Sequence, residues 1–331
     1  MLNPLVRGTP LERSAAHDAL REILEGRVDD VLIAGFLTAL TAKGESAEEM
    51  AGFVDAMIGA ANTFDGGAQA IDIVGTGGDQ LHTVNVSTMA ALTVAGCGVP
   101  VAKHGNRAAS SSVGSADLLE ALGVRIDAPE AVVRRCVAEA GIGFLFAPVF
   151  HPALGRLGPI RRALGFRTVF NVLGPLANPA LVRRAFIGVA PLALLDPMAR
   201  VVHARATTEA ILVHADDGLD ELSLGTTCTM YHVTAENVTI TRPDPGAQLG
   251  RRHDAVSLRG GDRDENVAVV RSFLEARPGA VFDVVCANAS VALILAGRAS
   301  DLSEGFALAS ASVYDGRAAR ALELLIEVSN S

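Results

Sequence analysis

The sequence predicts an α/β protein: a small N-terminal helical domain plus a larger α/β domain with a mostly parallel central sheet flanked by helices. Three observations predict it. The first 65 residues place apolar side chains at helical spacing only. From residue 70 onward a strand, a glycine-rich loop and a helix recur in that order, the pattern of parallel α/β architecture. A 331-residue chain, 50% hydrophobic and 20% charged, also has ample apolar material for a large core.

In chain order, Thr9-Pro10-Leu11-Glu12 reads as a helix start, with an N-cap Thr and Pro at the first helical position. Leu11, Ala16, Leu20 and Ile23 follow at helical spacing until Gly26. A second helix begins near Asp29-Asp30 and stops at Gly44, and a third opens with the capping box Ser46 to Glu49. Ala70–Val74 is then a strand, Thr88 to about Gly96 a helix, Val99–Lys103 a strand and Ser115–Leu122 a helix. The stretch 152–180 looks helical and Pro-broken. Strands are expected at Ala210–His214, within Thr227–Thr241 and at Val281–Cys286, with helices at Ala289–Ala296 and Phe306–Val328. The expected division is a helical domain 1–66, joined by the segment at about 152–180, and an α/β domain 67–331.

Composition excludes several classes. A disordered chain, a collagen and a disulfide scaffold are all incompatible with these proportions. A net charge of −9 argues against a general nucleic-acid binder. Cys97, Cys136, Cys228 and Cys286 show no metal-ligand spacing, and Cys97 and Cys286 read as buried thiols in a reducing compartment. No apolar run reaches the roughly 18 residues of a membrane span. The expected location is the cytoplasm.

Four segments carry chemistry. Gly75-Thr76-Gly77-Gly78-Asp79 leaves a strand and leads, through Asn85 and Ser87, into a helix. Backbone N–H groups freed by glycine, together with a helix N-terminus, suit an anion and phosphate best. Gln80 stands where the dinucleotide fingerprint needs its third glycine, and no Walker A spacing occurs. A tight turn using glycine for geometry alone also accounts for this loop. Lys103-His104-Gly105-Asn106-Arg107 leads to Ser110-Ser111-Ser112 and Gly114-Ser115. In an acidic chain that concentration of donors points to a phosphorylated ligand, because buried cations need a counter-charge; a solvated loop with chance basic residues is the bland alternative.

Asp216, Asp217, Asp220 and Glu221 follow a strand; alone they read first as an acidic surface turn, and beside the two phosphate loops they suit Mg²⁺. Arg161 reads either as a surface residue or as the partner of a substrate carboxylate. No nucleophile–base pair, G-x-S-x-G or H-E-x-x-H is present, so no covalent or acid–base residue is expected.

These segments, with Gly114-Ser115-Ala116-Asp117, Phe146-Ala147-Pro148, His151, Arg167-Thr168-Val169-Phe170-Asn171 and Leu173-Gly174-Pro175-Leu176, resemble the anthranilate phosphoribosyltransferase family in order along essentially the whole chain. The resemblance implies transfer of the phosphoribosyl group from 5-phosphoribosyl 1-diphosphate to anthranilate in tryptophan biosynthesis, by a Mg²⁺-dependent homodimer with two ions per monomer. It implies that Gly75, Gly78, Asp79, Thr83, Asn85, Val86, Ser87, Thr88, Lys103, His104, Gly105, Asn106, Arg107, Ala108, Ala109, Ser110, Ser111 and Ser115 hold phosphoribosyl diphosphate. Ser87, Asp220 and Glu221 would bind the metal, and Gly75, Asn106 and Arg161 anthranilate. Neither nucleic acid nor membrane is an implied partner. Ser112-Val113 and Arg156 depart from the common family pattern. The rival readings are a pyrimidine nucleoside phosphorylase-like enzyme and a non-catalytic nucleic-acid-binding relative.

Overall fold

The computed structural model describes residues 2–79, 81–108, 113–205 and 209–331. Helices α1 (Leu2–Val6), α2 (Arg13–Leu24), α3 (Asp30–Lys43) and α4 (Ala47–Gly59) form the N-terminal unit. The capping box at Ser46 is real, with Glu49 N donating to Ser46 Oγ at 3.2 Å and Ser46 N donating to Glu49 Oε2 at 2.8 Å. The start proposed at Thr9 is not. Leu11 N donates instead to the buried Glu49 carboxylate at 2.9 Å, which holds residues 9–12 against α4 and delays α2 to Arg13.

Strands β1 (Ile71–Gly75), β2 (Val101–Gly105), β3 (Ile142–Phe146), β4 (Arg184–Gly188), β5 (Glu209–Ala215), β6 (Cys228–Val233) and β7 (Val238–Thr241) make one sheet in the order β3-β2-β1-β4-β5-β6-β7. The first five are parallel, while β6 and β7 run antiparallel at one edge. Helix α5 (Val86–Gly96) follows β1, and α6 (Ser115–Ala121) follows β2. Both sheet faces are buried with period two. Ile71, Ile73, Phe186, Ile211 and Val213 enter one core with α5 and the C-terminal helices. Ala185, Ile187, Ala210 and Leu212 enter another, which runs on through 195–205 into α2–α4.

Three sequence expectations change. Val281–Cys286 is no strand but the first half of one helix, Ala280–Leu295. Its apolar residues are buried on all sides, so periodicity cannot separate the two forms there. The last helix is two, Leu302–Tyr314 and Arg317–Ser329, broken at Gly316 with φ +74. Cys97 is half-buried rather than buried. Among the described residues, no helix is long and apolar enough to cross a membrane.

The topology fixes where a ligand goes. From β1 the chain builds outward through β2 and β3, then returns to place β4 on the other side of β1. In such sheets the crevice opens beyond the carboxyl ends of the strands flanking this reversal. Gly75 and Gly188 end those two strands side by side.

Candidate active site

A cleft of about 600 Å³ opens at that place. It is lined by the Gly75–Asp79 loop, the start of α5, the end of β2, the turn after β5 and the segment 147–175.

The acidic turn divides into two pairs. Asp216 pairs with Arg242 at 2.6 Å and Asp217 accepts from Ser223 Oγ at 2.6 Å, so both are structural. Asp220 and Glu221 line the cleft. The chain reverses tightly there, with Ala215 N donating to Leu219 O at 3.2 Å, and brings Asp220 against the ends of β1 and β4. Only glycine admits it. A Cβ at Gly188 would stand 1.6 Å from Asp220 O, and one at Gly75 would stand 2.5 Å from Asp220 Oδ2.

Burial, and then the neighbouring Asp79, push the Asp220 carboxyl up to about 6. Burial and Asp220 drive Glu221 well above the ordinary carboxylate range. Burial raises Asp79 as well, and its Oδ2 is buried without a hydrogen-bond partner. Three crowded carboxylates with an orphaned oxygen form a site in want of a cation. No group of three His, Cys, Asp or Glu side chains among the described residues makes a closed cage. Mg²⁺ needs none, because it takes one or two carboxylates and completes its shell with water and substrate phosphate. The residues present fit that ion.

Lys103 is 2% exposed. Its Nζ donates to Ile73 O at 2.6 Å and to Ser87 Oγ at 3.2 Å. Burial lowers its pKa, against the pull of Asp72 and Glu221. Asp72, raised to about 6 by burial, lies beneath it and accepts from Asn178 Nδ2 at 2.7 Å and His104 N at 3.2 Å. Sequence reading missed this pair, although an Asp inside the apolar run Ile71–Val74 was a usable signal.

His104 departs from the donor role expected of it. Its Nδ1–H is directed at Gly174 O, 3.1 Å away, and burial followed by the nearby His151 pushes its pKa to about 3. The ring is neutral, and Nε2 is an acceptor with no partner. An acceptor suits a ligand hydroxyl, not a phosphate. Arg107 lines the mouth of the cleft, but its guanidinium is held by Glu120 and Asp117 at 2.8 and 2.9 Å. Asp117 Oδ2 also accepts from Ala108 N at 2.9 Å and Gly114 N at 3.0 Å, closing the base of the loop.

The other expected residues sort as follows. Gly78, Thr83, Asn85, Gly105, Asn106, Ala108 and Ser115 line the cleft. Val86 lines it too, although its side chain belongs to the core. The Asn85 Oδ1 atom is buried and unpaired. Thr88 is buried behind the wall and does not line it. Ala109, Ser110 and Ser111 lie outside the described residues, as does Ser112.

Arg161 lies on the helix Leu157–Leu164, in the segment facing the β1 loop. Burial alone lowers its pKa, and its guanidinium sits 5.8 Å from the Phe170 ring centroid. Arg162, Phe170 and His151 share this wall and were not singled out as site residues. Arg156, one of the departures from the family pattern, is turned away to Val28 O and Asp30.

Family models match both parts of the chain. Residues 1–61 match the helical bundle domain of a glycosyl transferase family, and residues 67–319 match its a/b domain. Anthranilate phosphoribosyltransferase of Thermomicrobium roseum is 47% identical over 338 residues, spanning 100% of this chain and 97% of that one. The enzyme of Azorhizobium caulinodans is 43% identical across 98% of this chain and 94% of its own. The crystal structure of anthranilate phosphoribosyltransferase from Thermus thermophilus superposes with a TM-score of 0.92 at 40% identity, covering 100% and 99% of the two chains. The Saccharomyces cerevisiae enzyme in complex with PRPP and Mg superposes at 0.88 with 28% identity, covering 97% and 94%. On these matches the chain belongs to the anthranilate phosphoribosyltransferase family.

Proposed function

We propose that this protein transfers the phosphoribosyl group of 5-phosphoribosyl 1-diphosphate to the amine of anthranilate, releasing diphosphate. The observation that carries the reading is the polarity of one cleft. Beyond β5 stand two carboxylates whose burial is only partly offset, Asp220 by the Gly77 N–H and Glu221 by Lys103, and on the facing helix burial alone acts on Arg161. A substrate pair with a diphosphate on one partner and a carboxylate on the other suits both.

Charge separates as the C–O bond to diphosphate breaks, leaving positive charge on the ribose and negative charge on the leaving group. Asp220, Glu221 and Ser87 would hold Mg²⁺, which supplies charge neutralisation to the diphosphate when bound. Two ions per protomer are part of the proposal. The Gly75–Asp79 backbone and the N-terminus of α5 present N–H groups to the phosphates. Lys103, reaching Ser87 from below, keeps that hydroxyl and Glu221 beside one another. Arg161 would pair with the anthranilate carboxylate and so aim the amine at the anomeric carbon. Positioning two bound reactants supplies much of the rate, and no enzyme nucleophile is required.

The helical part, residues 1–66 with 152–180, would form one wall and the rest of residues 67–331 the other. A homodimer would form through the helical part, where Val6 and Val31 are 74% and 83% exposed and Leu32 is 46% exposed. Sedimentation at twice 34.2 kDa, reverting to the single mass in Val31→Glu, checks this. The cytoplasm is the proposed location.

The test of function is the loss of anthranilate fluorescence on mixing the protein with phosphoribosyl diphosphate and Mg²⁺. Decay should require all three and stop with EDTA. Binding of phosphoribosyl diphosphate without decay would reassign the acceptor.

A further inference from the structure

Arg167 has no role in the proposed reaction, yet it is tied to the site through one residue of the glycine loop. It leaves the segment that follows the helix Leu157–Leu164 and reaches the glycine loop on the facing wall, where its Nη2 donates to Gly77 O at 3.0 Å. The N–H of Gly77 donates in the other direction, to Asp220 Oδ2 at 2.7 Å. Gly77 thus stands between a guanidinium and a candidate metal carboxylate, holding one with each of its backbone polar groups.

The local backbone is shaped for this contact. Gly77 and Gly78 have φ of +64 and +81, in the left-handed region that favours glycine. A Cβ at Gly78 would fall 1.2 Å from Arg167 Nη1 and 2.4 Å from its Cζ, so the guanidinium lies directly on the Gly78 Cα. The charge of Arg167 is also felt at Asp220, where it favours the ionised carboxylate. An arginine that merely capped a surface loop would need neither the bare glycine beneath it nor the carboxylate beyond it.

We propose that Arg167 is a positioning residue for the metal site, acting through Gly77 to hold Asp220 in place from across the cleft. It touches neither substrate. Groups that orient a metal ligand change metal affinity by about 10- to 100-fold when removed. The proposal rests on the phosphoribosyltransferase reading for its metal.

The test uses Arg167→Gln and Arg167→Lys in the full chain. Mn²⁺ is titrated in place of Mg²⁺ in the presence of phosphoribosyl diphosphate, with free Mn²⁺ read by electron paramagnetic resonance. Arg167→Gln should weaken Mn²⁺ binding about tenfold. Arg167→Lys, which keeps a charge and a donor, should recover part of that loss and carries the test if the Gln variant does not fold. At saturating metal, the affinity for phosphoribosyl diphosphate and the KM for anthranilate should return to near wild type.

Unchanged Mn²⁺ affinity would overturn the proposal. A loss of phosphoribosyl diphosphate affinity that persists at saturating metal would make Arg167 a direct phosphate ligand, which also overturns it. So would a raised anthranilate KM alone. If the wild-type protein binds Mn²⁺ and phosphoribosyl diphosphate but consumes no anthranilate, the acceptor assignment fails while the Arg167 result still stands.

Discussion

The two ends of the cleft are mirror images in charge. At the β5 end, burial raises the pKa of Asp79, Asp220 and Glu221, with Asp79 adding to the shift of Asp220 and both aspartates adding to that of Glu221. At the helical end, burial lowers the pKa of Arg161, with no carboxylate contributing. Elsewhere this protein pairs its buried charges, as in Glu49 with Lys43 at 2.8 Å and Asp283 with Arg251 at 2.8 Å. Burying a charge without full compensation is costly, so a fold that leaves both ends under-compensated is suited to charges that arrive with the ligands. The carboxylate end takes a metal and diphosphate, and the arginine end takes a carboxylate. Each end therefore fails differently when altered.

The largest effect should come from the carboxylate end. Asp220→Asn with Glu221→Gln removes ligands themselves, so turnover should fall by more than about 100-fold, the upper range for outer-shell partners. EDTA on the wild type should reproduce the loss. A double variant retaining turnover within a factor of ten in steady-state assays would remove the metal from this end. At the other end, Arg161→Ala should raise the KM for anthranilate by about 10- to 100-fold, the worth of hydrogen bonds to a charged group. The KM for phosphoribosyl diphosphate should stay near wild type. Equal increases in both constants would show that the two ends are not independent.

How far the sequence revealed this contrast depends on what each end is made of. The carboxylate end is written in short, contiguous runs, Gly75–Asp79 and Asp216–Glu221, which sequence spacing can find. Spacing could not separate Asp220 from Asp216, because that sorting depends on Arg242 and Ser223 in the fold. Nor could it find Asp72 under Lys103 or Arg167 over Gly78, since these are contacts between distant segments. His104 reads as a donor in the sequence, and its acceptor role was hidden for the same reason. Its neutrality follows from burial and from Gly174, which is 70 residues away. The fold was legible where one face met solvent or a glycine-rich loop marked a strand end, apart from the helix start at Thr9 and the break at Gly316. It was misread at Val281–Cys286, where the helix is buried all round and an apolar run carries no period.

The last effect concerns stability and reverses the sign of the functional one. With no metal bound, the Asp220 carboxyl has a folded pKa of about 6 against an ordinary 3.8. Between these values the folded protein keeps a proton that the unfolded chain has shed. Stability must therefore fall as pH rises through that window, and the full cost is present above about 6. That cost is at most about 3 kcal/mol, and less where water enters the cleft. Asp220→Asn should then make the metal-free protein more stable at pH 7 while leaving it nearly unchanged at pH 4. Asp72, also raised to about 6, contributes a slope of the same sign, so the variant keeps part of the pH dependence. Denaturant unfolding in EDTA at the two pH values measures the difference. A variant less stable than wild type at pH 7 would mean that the Gly77 N–H already compensates the Asp220 charge, and the end would no longer count as open. A stabilised, inactive Asp220→Asn would show that the ligand-free fold gives up stability to keep this carboxylate in place.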